Sequence, residues 1–203
     1  GGNDNLFGGL GADGHYGGTG FDYARYGDAA YGSLVISLAN PALNTGAAAG
    51  DTYIDIEGII AGSGNDVVTG NTLANALFGA GGNDTLNGGL GNDILVGGTG
   101  GDTFVFNTAL NATTNVDTIT DYALADVIHL ENAIFTALTS TGTLAAGQFR
   151  IGAAAADADD RIIYNSATGA LSYDADGNGA AAAIRFATIS TGLAMTNAEF
   201  VVI

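Results

Sequence analysis

Aspartates 84, 93 and 102 recur every nine residues within GGNDTLNGGLGNDILVGGTGGDTFVF (81–106). Glycine surrounds each of them, and an apolar residue (Leu86, Leu95 or Phe104) follows two places on. Backward in the same register, the aspartate slot holds Asn75 and Asp66; a second, earlier array holds Asp22, Asp13 and Asp4. In seven of these eight units a glycine stands two places ahead: Gly2, Gly11, Gly20, Gly64, Gly82, Gly91 and Gly100. Aspartate is a short, hard oxygen donor. Glycine admits positive φ and leaves neighbouring carbonyls open, so such a loop can turn several oxygens inward. Calcium takes six to eight oxygens at about 2.3–2.6 Å and tolerates irregular geometry. One Gly-Asn-Asp loop is an ordinary solvated turn. Eight in two registers point to a cation.

The loops need scaffolding. Between them lie three residues with the middle one apolar, a strand too short to stand alone. Stacking successive units as a parallel coil would pair these strands and bury the central residues in one core. Each unit makes half a turn, so loops eighteen residues apart share an edge, with a cation between loop n and loop n+2.

The best unit, GGLGNDILV (88–96), meets every position of the glycine-glycine-x-glycine-x-aspartate-x-apolar-x nonapeptide. Residues 1–25 and 61–105 thus resemble the RTX, or hemolysin-type, calcium-binding repeat. The resemblance implies an all-β fold: a calcium-loaded parallel β-roll followed by a mostly β C-terminal cap. It implies several calcium ions, with Asp4, Asp13, Asp22, Asp66, Asn75, Asp84, Asp93 and Asp102 as side-chain ligands. It adds loop oxygens from Gly79, Gly81, Gly82, Gly88, Gly89, Leu90, Gly91, Gly97, Gly98, Thr99 and Gly100. Departures carry meaning. Asn75, in GNTLANALF (70–78), is a neutral ligand and implies a weaker site. His15 and Ala24 are poor core residues, which suggests a frayed or capping first array.

Composition bounds the rest. The 203 residues carry 21 acids and four arginines, for a formal charge of −17. That excludes a basic nucleic-acid footprint. No apolar run reaches the length of a transmembrane helix. With no cysteine, neither disulfides nor thiolate metal sites are available. Two isolated histidines and no HExxH, GxSxG or phosphate-loop motif leave no catalytic constellation, so the segment reads as a binding module, not an enzyme.

Of the 34 glycines, 27 lie in residues 1–106, which places a boundary near Phe106: β-roll over 1–106, cap over 107–203. Asp22 and Asp66 are 44 residues apart, not a multiple of nine, so a strand–loop–strand interruption over 27–60 is expected. Its alternating runs Leu34–Leu38 and Tyr53–Ile60 read as strands, and Asp51, Asp55 and Glu57 are additional candidate ligands. Residues 161–165 and 170–174, joined by SATG, read as a hairpin. DADGNG (174–179) begins like an EF-hand loop but has Arg185 at the twelfth position, which favours a plain turn.

The cap resembles that of serralysin-type and related type I-secreted proteins. The ending TNAEFVVI (196–203), an acid followed by apolar residues, resembles a type I secretion signal, or it is a last cap strand; the two roles are compatible. The expected partners are calcium and, during export, a type I secretion apparatus. The expected location is extracellular, with self-association or a cell-surface matrix as a further setting. The chain opens in mid-repeat and is expected to be part of a larger secreted bacterial protein. That parent is expected to be either a hydrolase or polysaccharide-modifying enzyme, with this segment as its export and folding tail, or an adhesin or surface-layer protein.

Overall fold

A computed structural model of the chain describes residues 1–27 and 31–203. Residues 28–30, inside the expected interruption, lie outside the described residues. The described residues contain strands and short 3-10 turns, and no helix among them is long and apolar enough to cross a membrane.

Successive nonapeptides alternate between two parallel sheets, except that Gly14–Tyr16 pairs with Thr52–Ile54 in a two-stranded sheet of its own. In the first, Asn5–Leu6, Tyr23–Arg25, Gly58–Ile60, Ala76–Gly81, Ile94–Thr99 and Asp117–Ile119 lie side by side. In the second the order is Val35–Ser37, Val67–Thr69, Thr85–Asn87, Thr103–Phe106, Val127–Leu130. Within the clean array the register is eighteen residues, as Ile94 opposite Ala76 and Thr103 opposite Thr85 show. Each side chain two places after the slot points inward, because side chains alternate along a strand. Ala24, Ile59, Leu77, Leu95 and Ile119 from one sheet join Ile36, Val68, Leu86, Phe104 and Ile128 from the other in one buried cluster. This is a parallel β-roll.

The sheets do not stop at Phe106, where the fall in glycine sets the expected boundary. Asp117–Ile119 pairs with Ile94–Thr99, and Val127–Leu130 with Thr103–Phe106, each at a spacing of 24 rather than eighteen. The first sheet then turns mixed, through Ile184–Thr188, Ala170–Tyr173, Ile162–Asn165 and Phe149–Ile151. The SATG hairpin is present, with Gly169 at φ +77° closing its turn. The second sheet continues through Phe200–Val202, parallel to Val127–Leu130, and ends on Gly142–Thr143, antiparallel on its outer side. These strands cover an edge that would otherwise expose core and unpaired backbone.

The interruption differs from the sequence reading. Tyr53–Ile60 is two strands, Thr52–Ile54 and Gly58–Ile60, which enter different sheets. Asp55, at φ +52°, breaks the run by turning the chain between them. In the first array His15 is a core residue in spite of its polarity. His15 is 2 % exposed, its ring stacked on Tyr53 at 5.5 Å, with Nε2 3.4 Å from Asp51 Oδ2. A polar residue is tolerated in the core because it has a polar partner there.

Candidate metal centre

The slot side chains form ladders along both edges of the roll. Asp84 Oδ1 accepts the Asp66 N–H at 2.8 Å, and Asp102 Oδ1 accepts the Asp84 N–H at 2.8 Å. On the other edge, Asp93 Oδ1 accepts the Asn75 N–H at 2.7 Å, and Asp22 Oδ1 accepts the Asp4 N–H at 2.6 Å. One carboxylate oxygen therefore ties each coil to the one before it. The other is left for something else.

At Asp22, Asp84 and Asp93 that second oxygen is buried with no hydrogen-bond partner, and so is Oδ2 of Asp13. A buried, unpaired carboxylate oxygen is costly. The space beside it is kept open by glycine: a Cβ on Gly79, Gly88 or Gly97 would collide with Oδ2 of Asp84, Asp93 or Asp102. Main-chain carbonyls border the same space, that of Gly97 beside Gly79 and that of Gly88 beside Gly70. Among the described residues no three acidic, histidine or cysteine side chains converge. A cation here must take carbonyl as well as carboxylate oxygens, and the donor set fits a hard divalent ion.

Not every slot offers a free oxygen. Asp66 Oδ2 accepts the Gly62 N–H at 3.0 Å. Asn75 Oδ1 accepts the Asn71 N–H at 2.7 Å, while its Nδ2 donates to the Glu57 carbonyl at 3.2 Å. Asp4 sits at the outer end of its ladder with its side chain half exposed. Of the named loop groups, the Thr99 carbonyl accepts the Gly82 N–H at 2.9 Å, and the Gly81 N–H donates to the Gly62 carbonyl at 3.1 Å. Leu90 N–H donates to the Asn71 carbonyl at 3.2 Å, beside Gly89. Gly91 N–H donates to Asn115 Oδ1 at 3.0 Å, and a Cβ on Gly100 would collide with the Gly82 carbonyl.

The ladders extend to residues the sequence reading passed over. Asp117 Oδ1 accepts the Asp93 N–H at 3.1 Å, and Asp126 Oδ1 accepts the Asp102 N–H at 2.9 Å. Asp121 crosses the last glycine loop, accepting from the N–H groups of Gly97 at 3.1 Å and Gly98 at 2.7 Å. A signal was present: Asp117 and Asp126 are nine apart, and Ile119 and Ile128 follow each by two. The interruption contributes too. Asp51 Oδ1 accepts the Asp13 N–H at 2.8 Å, and Glu57 Oε2 accepts the Asp22 N–H at 2.8 Å. The second oxygen of Asp51 is engaged by the Tyr26 hydroxyl at 2.6 Å.

Residues 59–72 and 69–104 match the family of the RTX calcium-binding nonapeptide repeat (4 copies). Residues 59–104 carry RTX repeats. No curated protein matches the chain. RTX nonapeptide repeats bind calcium, a hard divalent ion of the kind this donor set fits. As a repeat, RTX is a calcium-binding structural module and not a catalytic one.

Burial, more than neighbouring charge, raises the affinity of these carboxyls for protons. Asp84 is pushed up to about 7, and Asp93, Asp102 and Asp117 are raised for the same reason. Adjacent carboxylates add to the rise: Asp66 and Asp102 beside Asp84, Asp126 beside Asp102, and Asp93 beside Asp117. Folded pKa values above the unfolded value of about 4 mean that the cation-free fold loses stability as pH rises from about 4 towards 7. Calcium must displace any proton that remains. Where the roll is already folded before calcium enters, affinity at the Asp84 site should fall as pH drops below about 7, whereas an unfolded calcium-free chain, its aspartates ionised above about pH 4, should bind with little dependence on pH over the same range. Calcium titrations at pH 8, 6.5 and 5.5, each with a circular dichroism spectrum before calcium, check this; equal affinity in a chain that is folded before calcium would contradict it.

Asn75→Asp should have opposite effects in the two states. The new carboxylate oxygen replaces an N–H that now donates to the Glu57 carbonyl, so it faces an acceptor instead. In chelator that repulsion should destabilise the fold; in calcium the added charge should tighten the neighbouring site. Paired melts with and without calcium give both signs. A destabilised variant in calcium would show that this loop does not take the ion.

Proposed function

We propose that the chain is a calcium-triggered folding module of an exported protein, with a type I secretion signal in residues 196–203. The carrying observation is the set of buried carboxylate oxygens without partners at Asp13, Asp22, Asp84 and Asp93, in a chain of net charge −17. Without cations these groups repel and are poorly solvated, so the roll is disfavoured where calcium is scarce. A chain this acidic and rich in glycine then stays extended and can thread a secretion channel. Outside the cell, calcium occupies the loops and the coil closes. The ligands in this reading are the open oxygens of Asp13, Asp22, Asp84, Asp93 and Asp102 with carbonyls such as those of Gly88 and Gly97. Asp66 and Asn75 act chiefly as rungs of the ladder, and Asp4 supplies only the N–H at its outer end.

Export of a reporter tests the proposal. A reporter joined ahead of Gly1 should reach the medium when a type I apparatus is co-expressed, and should acquire a folded, protease-resistant tail only in calcium. A reporter retained inside the cell would remove the export half. A tail equally resistant in chelator would remove the calcium half.

A further inference from the structure

The segment inserted between the two arrays rebuilds a repeat loop without glycine. In the repeats one arrangement recurs. The Gly70 N–H donates to the Asn87 carbonyl at 2.8 Å. A Cβ on Gly70 would collide with the carbonyl oxygen of the next residue, Gly88, and lie 2.6 Å from Asn75 Oδ1. Gly79 has the same surroundings, the Gly97 carbonyl and Asp84 Oδ2. The first glycine of a loop thus faces its own slot oxygen and a carbonyl from the next coil on that edge.

Gly17 opens the loop GGTGFD (17–22). Its N–H donates to the Ile54 carbonyl at 3.0 Å. A Cβ on Gly17 would collide with the Asp55 carbonyl and lie 2.6 Å from Asp22 Oδ2. Asp55 therefore stands where Gly88 and Gly97 stand in the repeats. Two residues later Glu57 Oε2 accepts the Asp22 N–H at 2.8 Å, the bond that Asp93 makes to Asn75. Residues 55–57 span a path that takes 88–93 in a repeat. The left-handed turn at Asp55, φ +52°, and the extra methylene of glutamate make up the difference.

The second observation concerns Asp22 itself. It is 0 % exposed; Oδ1 holds the Asp4 N–H, and Oδ2 has no partner. The geometry points to a calcium site between loop 17–22 and the inserted segment, formed by Asp22 Oδ2, the Asp55 carbonyl and the Glu57 carboxylate. This site lies outside residues 59–104, where the repeat family matches. It rests on the calcium reading of the repeats but is separable from it.

Calcium counting by equilibrium dialysis, with terbium as a luminescent substitute, tests it on the full chain. The chain has no tryptophan, residues 59–104 have no tyrosine, and Tyr23 and Tyr53 flank Asp22 and Asp55 in sequence. Tyrosine-sensitised terbium emission therefore reports the first array, the new site together with any ion at Asp13, and the Asp102 end beside Tyr122, rather than the loops at Asp84 and Asp93. Asp22→Asn keeps an oxygen for the Asp4 N–H and removes the charge. It should bind one calcium fewer and lose part of that emission, whereas Asp93→Asn should lose a calcium and keep the emission. If Asp22→Asn fails to fold in calcium by circular dichroism, Glu57→Gln decides, since it retains an acceptor for the Asp22 N–H. That variant should weaken a tyrosine-reported site several-fold. An unchanged count and emission in the folded Asp22→Asn chain, or an unchanged titration for Glu57→Gln, overturns the site alone. A wild-type chain that binds no calcium overturns it together with the repeat reading.

Discussion

In chelator the chain should lose most of its β-sheet signal, and millimolar calcium should restore it cooperatively. The size of the effect follows from linkage. A site with a dissociation constant of roughly 10 µM contributes about 2.7 kcal/mol at about 1 mM free calcium. Four buried, unpartnered carboxylate oxygens, at Asp13, Asp22, Asp84 and Asp93, mark places where that term acts. Two or three such sites are comparable with the whole stability of a typical domain. The same oxygens oppose folding when no cation is present, so the switch works from both sides. Magnesium should not replace calcium, because it holds its water and demands octahedral geometry at about 2.0–2.1 Å. The loops offer carbonyls fixed by coil stacking, such as those of Gly88 and Gly97, and cannot contract to meet it. Circular dichroism in chelator, magnesium and calcium checks all three states. A native β spectrum in chelator would rule out the folding switch.

The roll was legible in the sequence because its information is local. A slot aspartate, a glycine two before it and an apolar residue two after it lie within five positions, and Leu77, Leu86, Leu95 and Phe104 are fully buried as that pattern requires. Asp117 and Asp126 escaped because an insertion lengthens the coil to 24 residues and Asn115 and Leu124 replace the glycines. The ladder bond needs only a carboxylate in the slot, so the coil outlasts the motif. Tyr53–Ile60 misled for a different reason. Alternation of apolar and polar residues does not reveal a single left-handed residue, and Asp55 sends the two halves to different sheets. The Oδ1–backbone bonds were also invisible. They depend on residues eighteen or more positions apart lying in register, which only the stacked coil provides.

Deleting residues 199–203 should produce the second large effect, and it bears on both roles of the tail. In the fold, Phe200–Val202 lies parallel to Val127–Leu130 and covers the end of the second sheet. Phe200 and Val202 are 0 % and 1 % exposed, and the Phe200 ring lies 5.2 Å from that of Phe149. Glu199 closes a capping box with Thr196, its Oε2 accepting the Thr196 N–H at 2.8 Å. Losing two buried side chains at about 1.5–3 kcal/mol each implies roughly 4 kcal/mol in calcium. That corresponds to a fall in melting temperature of roughly 10 °C for a chain of this size. Calcium binding at Asp84 and Asp93 should persist, because neither slot touches the tail strand. Export is a separate readout. A signal read by a secretion apparatus acts on the unfolded chain, before calcium has buried Phe200 and Val202, so the truncated chain should stay inside the cell. If it is secreted normally yet melts early, the tail is a cap strand and the export signal lies elsewhere. If it is retained yet melts as the full chain does, the burial of Phe200 and Val202 contributes little to stability and the cap rests on the Ile162–Asn165 and Ala170–Tyr173 hairpin.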